Sequence, residues 1–475
     1  MFLFTILLIL LSIVIYQKVF RGSVRYPNGP INLPIIGGLY LLDKKLLHES
    51  IHGLYKKYGR VFGINFGHVY TVFLSEHEVI HQAFTTHAFA FTNRYILPSM
   101  KIVGNNKNIG MVNGQYWKTV RAIATTSLTK SKTRRQEYNI NEQYFKFEVA
   151  LIELIKNNNG LVNIRPFLKH LSFNIIFNFV FSQYVPYNSE EIPESVKLFL
   201  KDSNDLLHAL AAGSPGDYIK VMEYFDDMAE IRKITSNIVN FAKPHIQQHL
   251  DTIDIENPRD FIDLLIIEIQ KDEGKQIGID AIGHICIDLL VGGTDTSSTT
   301  IEWIILFLCN YPEIQEKLLD ELNQIPGHPS CNDKNSYPFY QAILKETWRI
   351  SPPVPFYLPH QCTENVEIDG KYIPAGAQIF ANVYSAGRNE NLFPNPTVFN
   401  PLRFINSTNN VYPFSMGPRK CPGQSLAEDE LFLIATKLFK NFKFERPTDN
   451  MFSEEGITSV TYDPVEYKFK VEKRI

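Results

Sequence analysis

Phe414-Ser415-Met416-Gly417-Pro418-Arg419-Lys420-Cys421-Pro422-Gly423 is the stretch on which the reading of this chain turns, and a helical pattern begins just after it, near Gln424. Loop amides, with a helix N-terminus behind them, stabilise negative sulfur. Glycines at 417 and 423 allow positive φ and let backbone approach a flat macrocycle. Phe414 can shield the sulfur from water, and Arg419 offers a fixed cation to a carboxylate. A lone cysteine is ordinarily a small core residue. The complete spacing Phe-x-x-Gly-x-Arg-x-Cys-x-Gly lifts Cys421 out of that class, and each of its elements has a physical reason if the sulfur is a ligand to iron.

The other four cysteines, Cys286, Cys309, Cys331 and Cys362, are scattered and have no C-x-x-C spacing. A disulfide framework or a cysteine-cluster zinc site is therefore not expected. Free thiols suit a reducing compartment. The 475 residues are 44% hydrophobic and 20% charged, enough apolar material for a large core. A formal charge of -3 gives no whole-chain electrostatic case for nucleic acid or an anionic surface. Thirty-four Phe and 23 Tyr fit a large aromatic core, with an apolar pocket as the sharper reading.

Met1 to Tyr16 is apolar apart from Thr5 and Ser12, loosely continued by Val19 and Phe20, with Lys18, Arg21 and Arg25 following. About 20 helical residues cross a hydrocarbon core, and the basic flank should face the cytosol. A basic leader region and small residues at a cleavage site are both missing, which favours an uncleaved anchor over a signal peptide. Prolines 27, 30 and 34 with glycines 29, 37 and 38 make a semi-rigid spacer. The expected organisation is a transmembrane anchor over residues 1–20, a linker over 21–38 and one catalytic domain over 39–475.

Within that domain most segments have helical periodicity, for example Phe145 to Ile155, Phe167 to Phe181 and Ile314 to Leu322. Strand-like runs occur at Val61 to Phe66, Tyr70 to Leu74, Gln378 to Val383 and Thr461 to Val471. The fold class expected is mainly α, a single large helical domain with small β-sheets. The longest helix should run from Asp280 to about Asn310. Asp288, Asp295 and Glu302 inside it argue for a core helix rather than a second membrane span. Its Gly292-Gly293-Thr294-Asp295-Thr296-Ser297-Ser298-Thr299-Thr300 run is poor in helix formers and invites a kink.

The cysteine loop resembles the haem-binding loop of the cytochrome P-450 family, and the resemblance extends from about Pro27 to the C-terminus. Three further motifs carry it. Glu346 and Arg349, at i and i+3, with Arg403 beyond them, look like the Glu-x-x-Arg pair and its third partner, bracing the haem side of the core. Asp295 and Thr296 match the acid–alcohol pair, a catalytic relay of protons to iron-bound dioxygen. Trp117 and Arg121 match Trp-x-x-x-Arg, whose side chains hold haem propionates, and His360 stands where a further propionate ligand is found.

The resemblance implies a membrane-anchored, microsomal-type haem-thiolate monooxygenase. Haem b would be ligated by Cys421 and held by Arg419, Trp117, Arg121 and His360, with Phe414 beside the sulfur. Two electrons and two protons would split O2 and place one oxygen atom in a lipophilic substrate. No complete flavin or nicotinamide unit is present. Electrons are therefore expected from a separate NADPH-cytochrome P-450 reductase, with cytochrome b5 as an optional second donor. Lys118, Lys130, Lys132, Arg134, Arg135 and Lys420 could form its docking face, or could be a solvated surface. Phe91 to Met111, Val354 to Tyr357 and the region near Ile457 should face the substrate. The expected location is the endoplasmic reticulum membrane, single-pass, with the domain in the cytosol. There the sequon at Asn406 would escape glycosylation. The alternative is a haem-thiolate isomerase or dehydratase that needs no reductase.

Overall fold

The computed structural model describes residues 25–474 apart from 133–135, 188–191, 272–273, 326 and 328. The expected anchor at residues 1–20 lies outside them, and no helix among the described residues is long and apolar enough to cross a membrane. The described chain is mainly helical, with short strands gathered in four small sheets, as expected.

The helix Ala281–Asn310 runs through the centre, with most of its 30 residues buried. Two of its acids, Asp295 and Glu302, are kept there by matched cations. Lys169 Nζ lies 2.7 Å from Asp295 Oδ1, and Arg165 Nε donates to Glu302 Oε2 at 2.8 Å. Arg165 and Lys169 are one helical turn apart on Arg165–Phe181, and their partners lie seven residues apart on the long helix. The two helices are thus stapled at two levels, and each buried charge has a counter-charge.

The hydrogen-bond ladder stays closed through this run, and the helix is continuous from 281 to 310. The hydroxyls that weaken helix propensity are turned back on the helix. Thr294, Thr296, Ser298 and Thr300 donate to the carbonyls of Leu290, Gly292, Thr294 and Thr296 at 2.6 to 2.8 Å. This i−4 back-bonding occupies the hydroxyls inside the ladder, so none of them opens it.

The helix Gln424–Asn441, immediately after Cys421, packs against the long helix. Glu430 joins them, accepting from Ser297 Oγ at 3.1 Å and from Ser172 Oγ at 2.8 Å. The main sheet has five strands, Val61–Phe66, Val69–Leu74, Gln378–Ala381, His360–Gln361 and Asn93–Arg94, in that spatial order. Its register sets Arg94 directly opposite His360. The run expected as one strand from Thr461 to Val471 is divided into Tyr462–Pro464 and Phe469–Lys473, which belong to different sheets. Val383 opens a helical turn, Val383–Ala386, rather than ending a strand.

Four histidines, His48, His52, His77 and His170, are held at about 4, below their ordinary 6.5, chiefly because burial disfavours the charged ring. A base whose pKa is depressed by folding stabilises the fold above its unfolded pKa, and that stability drains away as pH falls from about 6.5 towards 4. His77 packs edge-on against Phe393 and Tyr412, and neither ring nitrogen has a hydrogen-bond partner. Thermal melts of His77→Phe are therefore expected to exceed the parent at pH 5 by more than at pH 8. An equal difference at both pH values would contradict the assignment.

Candidate active site

Cys421 closes a tight loop in which its N–H donates to Phe414 O at 2.9 Å and Lys420 N–H donates to Gly417 O at 3.1 Å. Gly417 is needed for two reasons. Its φ is +68°, and a Cβ there would lie 2.1 Å from the carbonyl oxygen of Phe84. The close approach seen here is to the backbone of Phe84. Gly423 has an ordinary φ of -86° and caps the following helix, so it needs no left-handed conformation. A Cβ on it would reach 3.9 Å from Cys421 Sγ. Cys421 as a residue is exposed, yet protein surrounds its thiol closely enough that burial pushes the pKa up. The Gly423 N–H, the Arg121 guanidinium, the Gln424 N–H and Lys420 all pull it down. These are the donors a thiolate needs. Phe414 lies alongside, its ring edge-on to Trp348 at 5.3 Å.

Beside this loop lies a concentration of positive charge. Arg419 donates to Thr92 O at 2.8 Å, Val112 O at 2.6 Å and Asn113 Oδ1 at 3.0 Å, and its guanidinium sits 3.8 Å from the centroid of the Trp117 ring. Arg121 donates to Lys420 O. Arg94 donates to Gly110 O at 3.2 Å, Leu358 O at 3.0 Å and His360 Nε2. His360 Nδ1–H donates to Phe91 O at 2.5 Å, so the ring is neutral, with Nε2 as acceptor. Burial, followed by repulsion from Arg94, holds its pKa well below the usual value.

Arg94 was not foreseen from sequence, since nothing local marks it. Its signal is the cross-strand register with His360, which exists only after folding. Burial lowers the proton affinity of Arg94, Arg121 and Arg419, and Arg94 and Arg419 are further lowered by neighbouring arginines. Guanidinium does not deprotonate in proteins, and every hydrogen-bond partner named above is neutral. Three cations that hydrogen-bond to no carboxylate among the described residues suit an anionic ligand. The indole N–H of Trp117 makes no hydrogen bond among the described residues. A planar cofactor bearing two carboxylates, with its metal at Cys421, fits this donor set.

On the long helix, Gly292 is exposed, and a Cβ built there would meet nothing within 4 Å. Thr296 lies one turn further along, half-buried, its hydroxyl on Gly292 O at 2.7 Å. Asp295 points elsewhere, to Lys169. Burial raises its carboxyl pKa and Lys169 lowers it. Lys169 itself also donates to Asn204 Oδ1 at 3.1 Å. A cleft of about 790 Å³ lies among His68, Leu97, Lys101, Asp217 and Arg232, and neither Cys421 nor Thr296 lines it.

Glu346 accepts from Arg349 Nε at 2.7 Å, Arg349 Nη2 at 2.8 Å, Arg403 Nε at 3.0 Å and the Asn400 amide at 2.8 Å. Arg349 Nη1 donates to Gly387 O and Pro396 O, both at 2.7 Å. The triad expected from sequence is assembled and buried. Of the expected docking residues, Lys118 and Lys420 are exposed, and Arg134 and Arg135 lie outside the described residues.

A cysteine loop of this geometry beside a buried cation cluster defines a class, the haem-thiolate proteins. The family profile "Cytochrome P450" matches residues 27–471. "Probable cytochrome P450 515A1" of Dictyostelium discoideum is 37% identical over 455 residues, spanning 94% of this chain and 92% of the relative. "Cytochrome P450 2J5" of Mus musculus is 28% identical over 94% of this chain and 91% of its own. A solved zebra fish cytochrome P450, described as a structure with abiraterone, superposes with a TM-score of 0.77. It is 23% identical and covers 90% of this chain and 100% of that one. The chain belongs to the cytochrome P450 family. It is a haem-thiolate monooxygenase, and its cofactor is haem b with a cysteine thiolate ligand.

Replacing Glu346 by Ala would leave two arginines around a site without its carboxylate. Breaking a buried pair from one side costs about 3–5 kcal/mol. Denaturant melts should show a loss of that size and a fall in haem occupancy. A loss below about 1 kcal/mol would place the network among surface ion pairs of little worth.

Proposed function

We propose that Cys421 supplies the axial thiolate and that Arg94, Arg419, Arg121 and Trp117 hold the two haem propionates, with His360 fixing Arg94. The observation that carries this reading is a group of three guanidiniums, two of them buried, that hydrogen-bond to no carboxylate among the described residues, beside a donor-flanked cysteine. Haem supplies the redox chemistry of O2 activation when bound. The chain supplies a donor-flanked ligand, a cation cradle and a proton path.

Asp295 and Thr296 form that path. Lys169 holds the Asp295 carboxylate at the junction of three helices, where a proton arriving from solvent can be taken up. Thr296 Oγ1, back-bonded to Gly292 O, keeps its lone pairs on the open side of the helix and can hold a water or a reacting oxygen there. The substrate is a small lipophilic molecule. It would reach the site past Phe91 to Met111 and Val354 to Tyr357, with Ile457 at the margin. The isomerase alternative has no observation in its favour, since both members of the proton pair are present.

Electrons come from a separate NADPH-dependent flavoprotein reductase, optionally with cytochrome b5, docking over the exposed Lys118 and Lys420. Residues 1–20 anchor the chain in the endoplasmic reticulum membrane, followed by the linker over 21–38 and the catalytic domain over 39–475. Support comes from two exposed apolar groups near that linker, Ile31 and Ile35 on one side, Val221, Tyr224 and Phe225 on the other. One turn connects them: Gly67 N–H donates to Ile36 O, and His68 N–H donates to Tyr218 O. Both groups would then face the bilayer that holds the anchor.

Substrates can be found by the spin-state shift they cause in the resting haem. With one in hand and a reductase supplied, Thr296→Ala should bind haem as the parent does and consume NADPH. Product formed per NADPH should fall by at least about tenfold, the missing oxygen appearing as peroxide or water. Unchanged coupling would remove Thr296 from the proton path.

A further inference from the structure

Asp288 lies on the long helix at the start of the stripe that continues through Gly292 and Thr296, each one turn apart. It belongs to none of the motifs that the sequence displayed. Its Oδ2 accepts from the backbone N–H groups of Ile109 and Gly110 at 2.7 and 2.8 Å, and its Oδ1 accepts from Asn108 Nδ2 at 3.0 Å. One helix carboxylate therefore fixes three consecutive residues of the loop that precedes Gly114–Lys132.

The other side of that loop faces the arginines. Ile109 O accepts from Arg419 Nη1 at 3.4 Å and Gly110 O from Arg94 Nε at 3.2 Å. Further along, Val112 O and Asn113 Oδ1 accept from Arg419 Nη2, and Asn113 Oδ1 also accepts from the Arg94 amide at 2.8 Å. The peptide group between Ile109 and Gly110 is the critical link. Its N–H donates to Asp288 and its C=O accepts from Arg419, so it is polarised from both ends in line. A carboxylate is thus joined to the cation cluster through one peptide dipole.

We propose that Asp288 is a positioning residue for the cofactor: it locks the 108–113 loop so that its carbonyls aim Arg94 and Arg419, and it sets part of the local charge the iron experiences. The proposal rests on the reading that those arginines hold the propionates. Burial pushes the Asp288 carboxyl pKa up, while the Gly110 amide, Asn108, the Ile109 amide and Arg94 pull it down, and Asp288 in turn favours the charged form of Arg94. Without the carboxylate two amides lose their acceptor, the loop carbonyls lose their register, and the cradle carries one more uncompensated positive charge. Outer-shell groups of this kind change the hold on a metal centre by about 10–100-fold.

The test uses the full-length holoprotein in detergent and three readouts: the melting curve, the rate of ferric haem transfer to apomyoglobin, and the reduction potential of the iron. Asp288→Asn preserves shape and one acceptor oxygen while removing the charge. It should melt close to the parent, release haem about tenfold faster and shift the potential in the positive direction. Asp288→Glu should bring the potential back towards the parent value. A merely structural carboxylate would lower the melting temperature and leave the potential where it was, and that result overturns the proposal. Should Asp288→Ala fail to fold, Asp288→Asn still decides. Arg94→Leu separates the two levels. If it leaves haem transfer unchanged, the propionate reading falls and takes this inference with it. If Arg94→Leu accelerates transfer and Asp288→Asn does not, only the role given to Asp288 is overturned.

Discussion

A thiolate inside a protein has lost its water and keeps its charge only where fixed donors replace that water. Around Cys421 the replacements are two amides at the start of Gln424–Asn441 and the guanidinium of Arg121. Each depends on something larger. The amides exist because a helix begins there, and that helix is held against Ala281–Asn310 through Glu430 and the serines at 172 and 297. The guanidinium comes from a helix more than 290 residues away in sequence, tied to the loop by its bond to Lys420 O. Burial outweighs these donors and leaves the thiol pKa raised, so bound iron would complete an ionisation that the surrounding fold assists.

The same rule governs the rest of the polar interior. Where the long helix carries acids through the core, Lys169 and Arg165 meet them. Where Arg349 is buried, Glu346 meets it. Arg94, Arg121 and Arg419 differ from these pairs, because their hydrogen-bond partners among the described residues are carbonyls, an amide oxygen and a neutral imidazole. A cluster of like charges met only by neutral acceptors fits a ligand that brings the opposite sign.

Much of this was legible in the sequence because it is carried by short spacings. The cysteine loop, the Glu346–Arg349 pair, Trp117 with Arg121 and the boundaries of the long helix all follow from residues within a few turns of one another. What escaped depends on contacts between distant segments. Arg94 is marked only by its sheet register with His360, Lys169 only by the face its helix turns towards Asp295, and Asp288 only by the loop it binds. The run Gly292 to Thr300 keeps a closed ladder for a different reason. Propensity counts Ser and Thr as weak helix formers, yet here their hydroxyls return to the i−4 carbonyls and the ladder survives. The C-terminal run expected as one strand reads as continuous because alternation alone does not show that two halves pair in different sheets.

The claim that Cys421 ligates the iron as a thiolate is tested most directly by the absorption spectrum of the reduced protein under carbon monoxide, compared between the parent and Cys421→His. The account predicts a strongly red-shifted Soret band in the parent that is absent from the variant. A parent spectrum with the unshifted band of a neutral ligand, in protein shown to be folded and haem-loaded, would contradict it.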